Sequence, residues 1–249
     1  MPNPPIIGMR VDTLHWRDCL SRIINWARGH ESRYACLANV HMAVSANENE
    51  AFLRVVNGAD LVISDGRPLV WAKRLFGVKQ QIQIRGADLM VAVCGMCDEH
   101  GLPIGLFGGR HEVVTRLVEQ LKARFPRLEI AYAYSPPFRP PTAEETAEIV
   151  RSINAARPAV LFVGLGCPRQ EVWMAENRPA LNTTMLGVGA AFDFLAGSVR
   201  QAPVWMQRYG LEWAFRLSQE PARLAKRYAY TNTRFLVLFA KQLLASARL

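Results

Sequence analysis

No apolar run in this 249-residue chain approaches the roughly 20 residues that a membrane-spanning helix needs. The opening MPNPPIIGMRVD has no basic segment followed by an apolar one, so no signal peptide is expected and the chain is expected in the cytoplasm. Cysteine is sparse, odd in number at five, and scattered, which argues against a disulfide framework and fits a reducing compartment. Cys94 and Cys97 have redox-motif spacing, but they lie in an apolar helical pattern with no second pair for zinc, and are read as buried thiols. A complete GxGxxG fingerprint, a Walker loop and a Tyr-x-x-x-Lys pair are all missing, which counts against a nucleotide-sugar oxidoreductase or epimerase. Asp-x-Asp, the metal–diphosphate clamp of many glycosyltransferases, is missing too.

What is present is ordinary in amount and uneven in placement. Half the residues are hydrophobic and 20% are charged, as in a folded globular protein, and the length suffices for a full core. The net charge is +9, and residues 198–249 hold nine Lys/Arg against two Asp/Glu, so most of the excess sits in the tail. An acidic partner is expected there: anionic lipid, a phosphate-bearing substrate or nucleic acid.

Before that tail, six short β-rich runs alternate with helical patterns: RYACLANV, ADLVIS, PIGLFG, LEIAYAY, AVLFVGLG and TTMLGVG. They are apolar on both faces, as parallel strands are, and the alternation predicts an α/β fold with a Rossmann-like, mostly parallel sheet and helices on both faces. After Ser198 no strand candidate remains; the texture predicts helices broken at Gly210 and restarted at Pro221. The organisation expected is an α/β catalytic core over 1–197 and a basic helical appendage over 198–249.

Ligands of open parallel sheets sit beyond the carboxyl ends of the strands. Those ends carry Asn39 and His41; Asp65 and Gly66; Gly108, Gly109 and Arg110; Arg169, Gln170 and Glu171; and Asp193. The Gly108–Gly109 pair, placed before a helix, suits either an anion cradle or a plain tight turn. Asp65 has two readings as well. It caps the helix that follows it, or it is a general base on the floor of a cleft. Asn39 and His41 likewise read as turn or cap residues or as ligand contacts.

The motifs DGRPLVW, IRGADLM, GLFGGR, GCPRQEVW, GVGAAFDFLAGSVRQAP and GLEWAFRLSQEPAR follow one another in an order that closely resembles the WecG/TagA/CpsF glycosyltransferases, glycosyltransferase family 26, from about Asn39 to Arg227. The resemblance implies inverting transfer from a UDP-sugar, N-acetylmannosamine-type or another hexose, to a sugar on undecaprenyl diphosphate. The products would serve surface polysaccharides such as teichoic acid linkage units, common antigen, capsule or exopolysaccharide. It implies Asp65 as catalytic base, and Asn39, Arg85, Gly108, Gly109, Gln170 and Asp193 around the donor. It also implies Arg216, Arg223 and Lys226 or Arg227 at the lipid diphosphate. Many members carry a Thr where this chain has Leu37, so a donor contact made by that Thr is absent here.

No metal or other cofactor is expected: leaving-group charge is to be met by helix N-termini and cationic side chains. Arg223, Arg227, Arg234 and Lys241 form one stripe of a helix beginning at Pro221, beside an apolar stripe of Leu224, Tyr228, Phe235 and Leu238. Such a helix either lies on an anionic membrane or packs its apolar side on the core; the lipid acceptor favours membrane contact. The expected position is therefore peripheral, at the inner face of the plasma membrane. A nucleic-acid partner is not expected, and the oligomeric state, self-association included, stays open.

Overall fold

A strand buried on both faces must be apolar along its buried length, and β1 (Arg33–Ala38) meets that demand from Tyr34 onward by alternation. Ala35 and Leu37 face one core cluster, while Tyr34, Cys36 and Ala38 face the other. The computed structural model describes residues 3–246; the first two residues of the expected core and the last three of the expected tail lie outside them. All six expected strands form: β1, β2 (Leu61–Ser64), β3 (Ile104–Gly108), β4 (Ile130–Tyr134), β5 (Val160–Gly164) and β6 (Thr184–Gly187). They make one all-parallel sheet in the order β2-β1-β6-β5-β3-β4.

One face is covered by α1 (Trp16–Arg28), α5 (Gly86–His100) and α6 (His111–Arg124). The other packs against α2 (Val40–Glu48), α3 (Glu50–Asn57), α4 (Arg67–Leu75), α7 (Ala143–Ala156) and α8 (Arg169–Asn177). Cys94 and Cys97 are buried free thiols on α5. Among the described residues, two α-helices lie outside the helical patterns read from the sequence, α2 and the short α9 (Ala191–Leu195). The first replaces the end of the expected strand RYACLANV, because Asn39 Oδ1 accepts the Met42 N–H at 3.1 Å and starts a helix at Val40.

The chain leaves β3 toward β4 on one side and leaves β5 toward β6 on the other, so a crevice opens between their carboxyl ends. Gly108 marks how close those ends are. At φ 114° it has no room for a side chain, since a Cβ there would lie 2.6 Å from the Gly164 carbonyl carbon.

The tail forms α10 (Val204–Arg208), α11 (Glu212–Gln219) and α12 (Pro221–Ser246), with Gly210 between the first two and Pro221 opening the last. Leu224, Thr231, Phe235 and Phe239 of α12 are buried, with α12 lying along α2. Phe239 meets the Phe76 ring edge-on at 5.4 Å. Gln242 holds the N-terminal arm by accepting from Ile7 N–H at 2.7 Å and donating to the Pro5 carbonyl at 2.8 Å.

Candidate active site

Asp65 is the first residue beyond β2, whose four residues are all buried. Its backbone is pinned where β1 ends: Asp65 and Gly66 both donate to the Ala38 carbonyl, at 2.9 and 3.0 Å. The carboxylate does not cap α4. Gly66 occupies that N-cap, and a Cβ there would press within 3.2 Å of Asn39. Asp65 Oδ1 instead accepts the N–H of Gly86, the first residue of α5, at 2.8 Å, and Gln83 Nε2 donates to the Asp65 carbonyl at 2.7 Å. Burial, then the nearby Glu212 carboxylate, push the Asp65 pKa up to about 7; the Gly86 N–H, Arg85 and Arg216 pull the other way. A carboxylate in that range accepts a proton near neutral pH and releases it again.

Around Asp65 lies a cleft of about 740 Å³, within the usual range for ligand sites. Seven arginines line it (Arg67, Arg85, Arg110, Arg169, Arg216, Arg223 and Arg227) against four carboxylates: Asp65, Asp193, Glu212 and Glu220. That excess of positive charge suits ligands carrying several negative charges.

Asn39, Arg85, Gly109, Gln170 and Asp193 all line the cleft. Asn39 uses its Oδ1 as the α2 cap, the cap reading made of it, and stands at the cleft wall. Gln170 is almost fully buried, and both ends of its amide are held: Oε1 accepts from Gly166 N–H at 3.1 Å, and Nε2 donates to Glu171 Oε1 at 2.7 Å. Gly187 and Gly189 leave room for it, since a Cβ at Gly187 would lie 3.1 Å from Gln170 Nε2. Glu171 is fully buried and its pKa is pushed up to about 7 by that burial. Gly108 is not among the residues lining the cleft; it lets β3 and β5 approach. Asp193 is raised above the usual aspartate range by burial, with Arg110, Arg223 and Arg216 opposing.

Arg85 is gripped by the tail. Its guanidinium donates to Gln207 Oε1 at 2.5 Å and Glu212 Oε1 at 3.2 Å, and to Asp88 Oδ2 on its own helix at 3.2 Å. Arg216 sits over the Phe194 ring at 5.3 Å, and Arg223 pairs with Glu220. Of the Lys226/Arg227 pair, Arg227 lines the cleft; Lys226 is exposed and outside it, because adjacent residues on a helix point about 100° apart.

The stripes read on α12 do not form a free amphipathic surface. Leu224 and Phe235 are buried in the core, and Tyr228 meets Trp213 edge-on at 6.2 Å. Arg227 turns into the cleft, and Arg234 donates to Glu48 at 2.9 Å. The apolar side of α12 packs on the core, the alternative that the sequence had offered.

The cleft also gathers His41, Arg67, Arg110, Arg169 and Glu212, which the resemblance did not assign. Their positions carried a signal: three of them follow strand ends, Arg67 belongs to the DGR stretch, and Glu212 to GLEW. His41 has its basicity lowered by burial and by Arg227, with the Cys167 backbone opposing.

Residues 4–249 match the family described as "Glycosyl transferase WecG/TagA/CpsF family". The chain is 30% identical over 195 residues to the N-acetylglucosaminyldiphosphoundecaprenol N-acetyl-beta-D-mannosaminyltransferase of Bacillus spizizenii, covering 78% of this chain and 74% of the relative. It is 28% identical over 186 residues to the protein of the same name from Bacillus subtilis, covering 74% of this chain and 71% of the relative.

Proposed function

Because the chain belongs to the WecG/TagA/CpsF glycosyltransferase family, we propose that it transfers an N-acetylmannosamine-type hexosyl group from a UDP-sugar to an undecaprenyl-diphosphate-linked sugar, with inversion. The observation that carries the reading is the Asp65 carboxylate, raised to about 7, on the floor of an arginine-lined cleft beyond the strand ends. Transfer is one in-line displacement. The acceptor hydroxyl oxygen bonds to the anomeric carbon, the bond from that carbon to the UDP oxygen breaks, and the hydroxyl proton passes to Asp65. The charge that develops on UDP is met by cleft arginines and the N-terminal end of α6, which opens just after Arg110. Asp193, beside Arg110, suits the ribose hydroxyls, and Arg216, Arg223 and Arg227 suit the acceptor diphosphate.

The surface beside the cleft supports a place for the membrane. Trp71 and Leu75 of α4 and Val204, Trp205 and Tyr209 around α10 are exposed large apolar side chains. The two elements adjoin: a Cβ on Gly210 would lie 2.8 Å from the Trp71 ring. Burial first, and then the nearby Arg74 and Arg208 cations, depress the basicity of Arg67. Aromatic rings among arginines suit the headgroup layer of an anionic bilayer, and they bring the cleft mouth to a lipid-held acceptor. In this account the enzyme works peripherally at the inner face of the plasma membrane, through α4 and α10 rather than the α12 stripe.

The test is a screen of UDP-sugars with a short-chain lipid-diphosphate N-acetylglucosamine acceptor, following UDP release and the anomeric configuration of the product. UDP release dependent on acceptor, with an inverted product, is the expected result. Donor hydrolysis indifferent to acceptor, or a retained anomer, would overturn the reading.

A further inference from the structure

Arg85 is a core side chain that three residues of the tail segment reach at once. Its side chain is only 12% exposed, and the guanidinium meets Gln207 at 2.5 Å, Glu212 at 3.2 Å and Gln201 at 3.5 Å. It is also the N-cap residue of α5, one position before Gly86, whose N–H holds Asp65 Oδ1 at 2.8 Å. Gln83, two positions earlier, holds the Asp65 carbonyl. Residues 83–86 therefore orient the carboxylate, and the tail holds that segment through Arg85.

Charge follows the same path. The charged groups facing Asp65 are Arg85 at the α5 cap and Glu212 and Arg216 on α11. Arg85 alone would stabilise the Asp65 carboxylate and weaken it as a base. Glu212 is paired to Arg85 and offsets it. The other carboxylate on Arg85, Asp88, is 52% exposed, so solvent screens it.

Building on the proposed transfer reaction, we infer that Glu212 is a positioning residue: by holding Arg85 it fixes the segment that orients Asp65 and offsets the cation beside it. The tail thereby acts on the base from the donor side of the cleft, apart from any contact with acceptor.

Two substitutions in the full chain move the base in opposite directions. Glu212→Gln keeps an acceptor for Arg85 but removes the negative charge, so Asp65 should titrate about one pH unit lower. Arg85→Met removes the cation, so Asp65 should titrate higher. The titration is read directly by carboxyl-¹³C NMR of aspartate-labelled protein; the chain has seven aspartates, and Asp65→Asn identifies the signal. In the transfer assay, the acid limb of the kcat/KM profile should move down with Glu212→Gln, and plateau kcat should fall several-fold. An Asp65 midpoint unmoved in both variants, or moved the same way in both, would reduce Glu212 to a tail anchor. The titrations do not depend on turnover. A wild-type protein that transfers no sugar would overturn the reaction reading while these shifts still tested the coupling.

Discussion

The Gly86 N–H donates to Asp65 Oδ1 at 2.8 Å, tying the end of β2 to the start of α5 across 21 positions of sequence. An aspartate that capped its own helix would be stabilised as an anion. This one is buried with Glu212 near it, and its proton is held up to about pH 7. Asp65→Asn keeps an oxygen for Gly86 and removes the buried charge. Transfer should fall by about 10²–10⁴-fold. Melting temperature at pH 8 should rise by about 2–4 °C, the change that roughly 1 kcal/mol makes in a chain of this size. A lower melting temperature with near-normal turnover would make Asp65 a structural residue.

The pH dependences of activity and stability should oppose each other. Catalysis needs the Asp65 carboxylate, so kcat/KM should rise about tenfold per unit below pH 7 and level off above it. The folded pKa lies above the unfolded value of about 4. The stabilising contribution is therefore complete below pH 4 and is lost as pH rises through about 7. Glu171, also raised to about 7, adds in the same direction. Denaturant midpoints should fall between pH 5 and pH 8 while kcat/KM climbs; a parallel rise of both would contradict the assignment.

The strands were legible because burial on both faces leaves an apolar run with little else to be. Val40–Glu48 was not legible as a helix, because its start depends on one side chain, Asn39, turning back on Met42. At the site, strand ends drew attention to Asp65 and Gln170, but not to the grip of Glu171 on the Gln170 amide, which depends on the rotamer of each. Arg85 was assigned to the donor by resemblance; its contacts with Gln207 and Glu212 cross more than 120 positions, and no local pattern encodes them. The stripes on α12 were correctly spaced, yet spacing does not say whether a protein core or a lipid surface covers an apolar face.

Arg227 and Lys226 separate a cleft cation from a surface one. Arg227→Ala should raise acceptor KM tenfold or more, since losing a charge-assisted contact removes about 1.5–3 kcal/mol. Lys226→Ala, outside the cleft, should leave it within twofold. Steady-state kinetics at saturating donor decide the matter, and equal effects would return Lys226 to the acceptor site.

Leaving-group charge is assigned to arginines and the α6 N-terminus, so activity should persist in EDTA within twofold of the untreated enzyme. Full loss, restored by Mg²⁺ or Mn²⁺, would mean that a cation shares that role.

Membrane contact needs a test that leaves the fold intact. Truncation after Gly197 would keep all six strands but uncover the surfaces that Leu224, Phe235 and Phe239 now cover. A core so exposed is expected to fold with a lowered melting temperature and to stick to itself and to vesicles for the wrong reason. Substitution at the α4–α10 surface avoids this. Trp205 is 58% exposed and Trp71 47%, so replacing both by Ser should change melting temperature little while weakening binding to phosphatidylglycerol vesicles. Reversing Arg74 and Arg208 to Glu should weaken it by about tenfold or more at low salt, because each basic residue near an anionic surface contributes about 1 kcal/mol before screening. The wild-type protein should lose affinity as salt is raised, and the doubly reversed variant should be nearly indifferent to salt. UDP release with a water-soluble acceptor should survive all four changes, since none of these side chains is assigned to the chemistry. Vesicle sedimentation across a salt series is the measurement. Unchanged binding in both pairs, with soluble activity intact, would place the lipid surface elsewhere on the molecule.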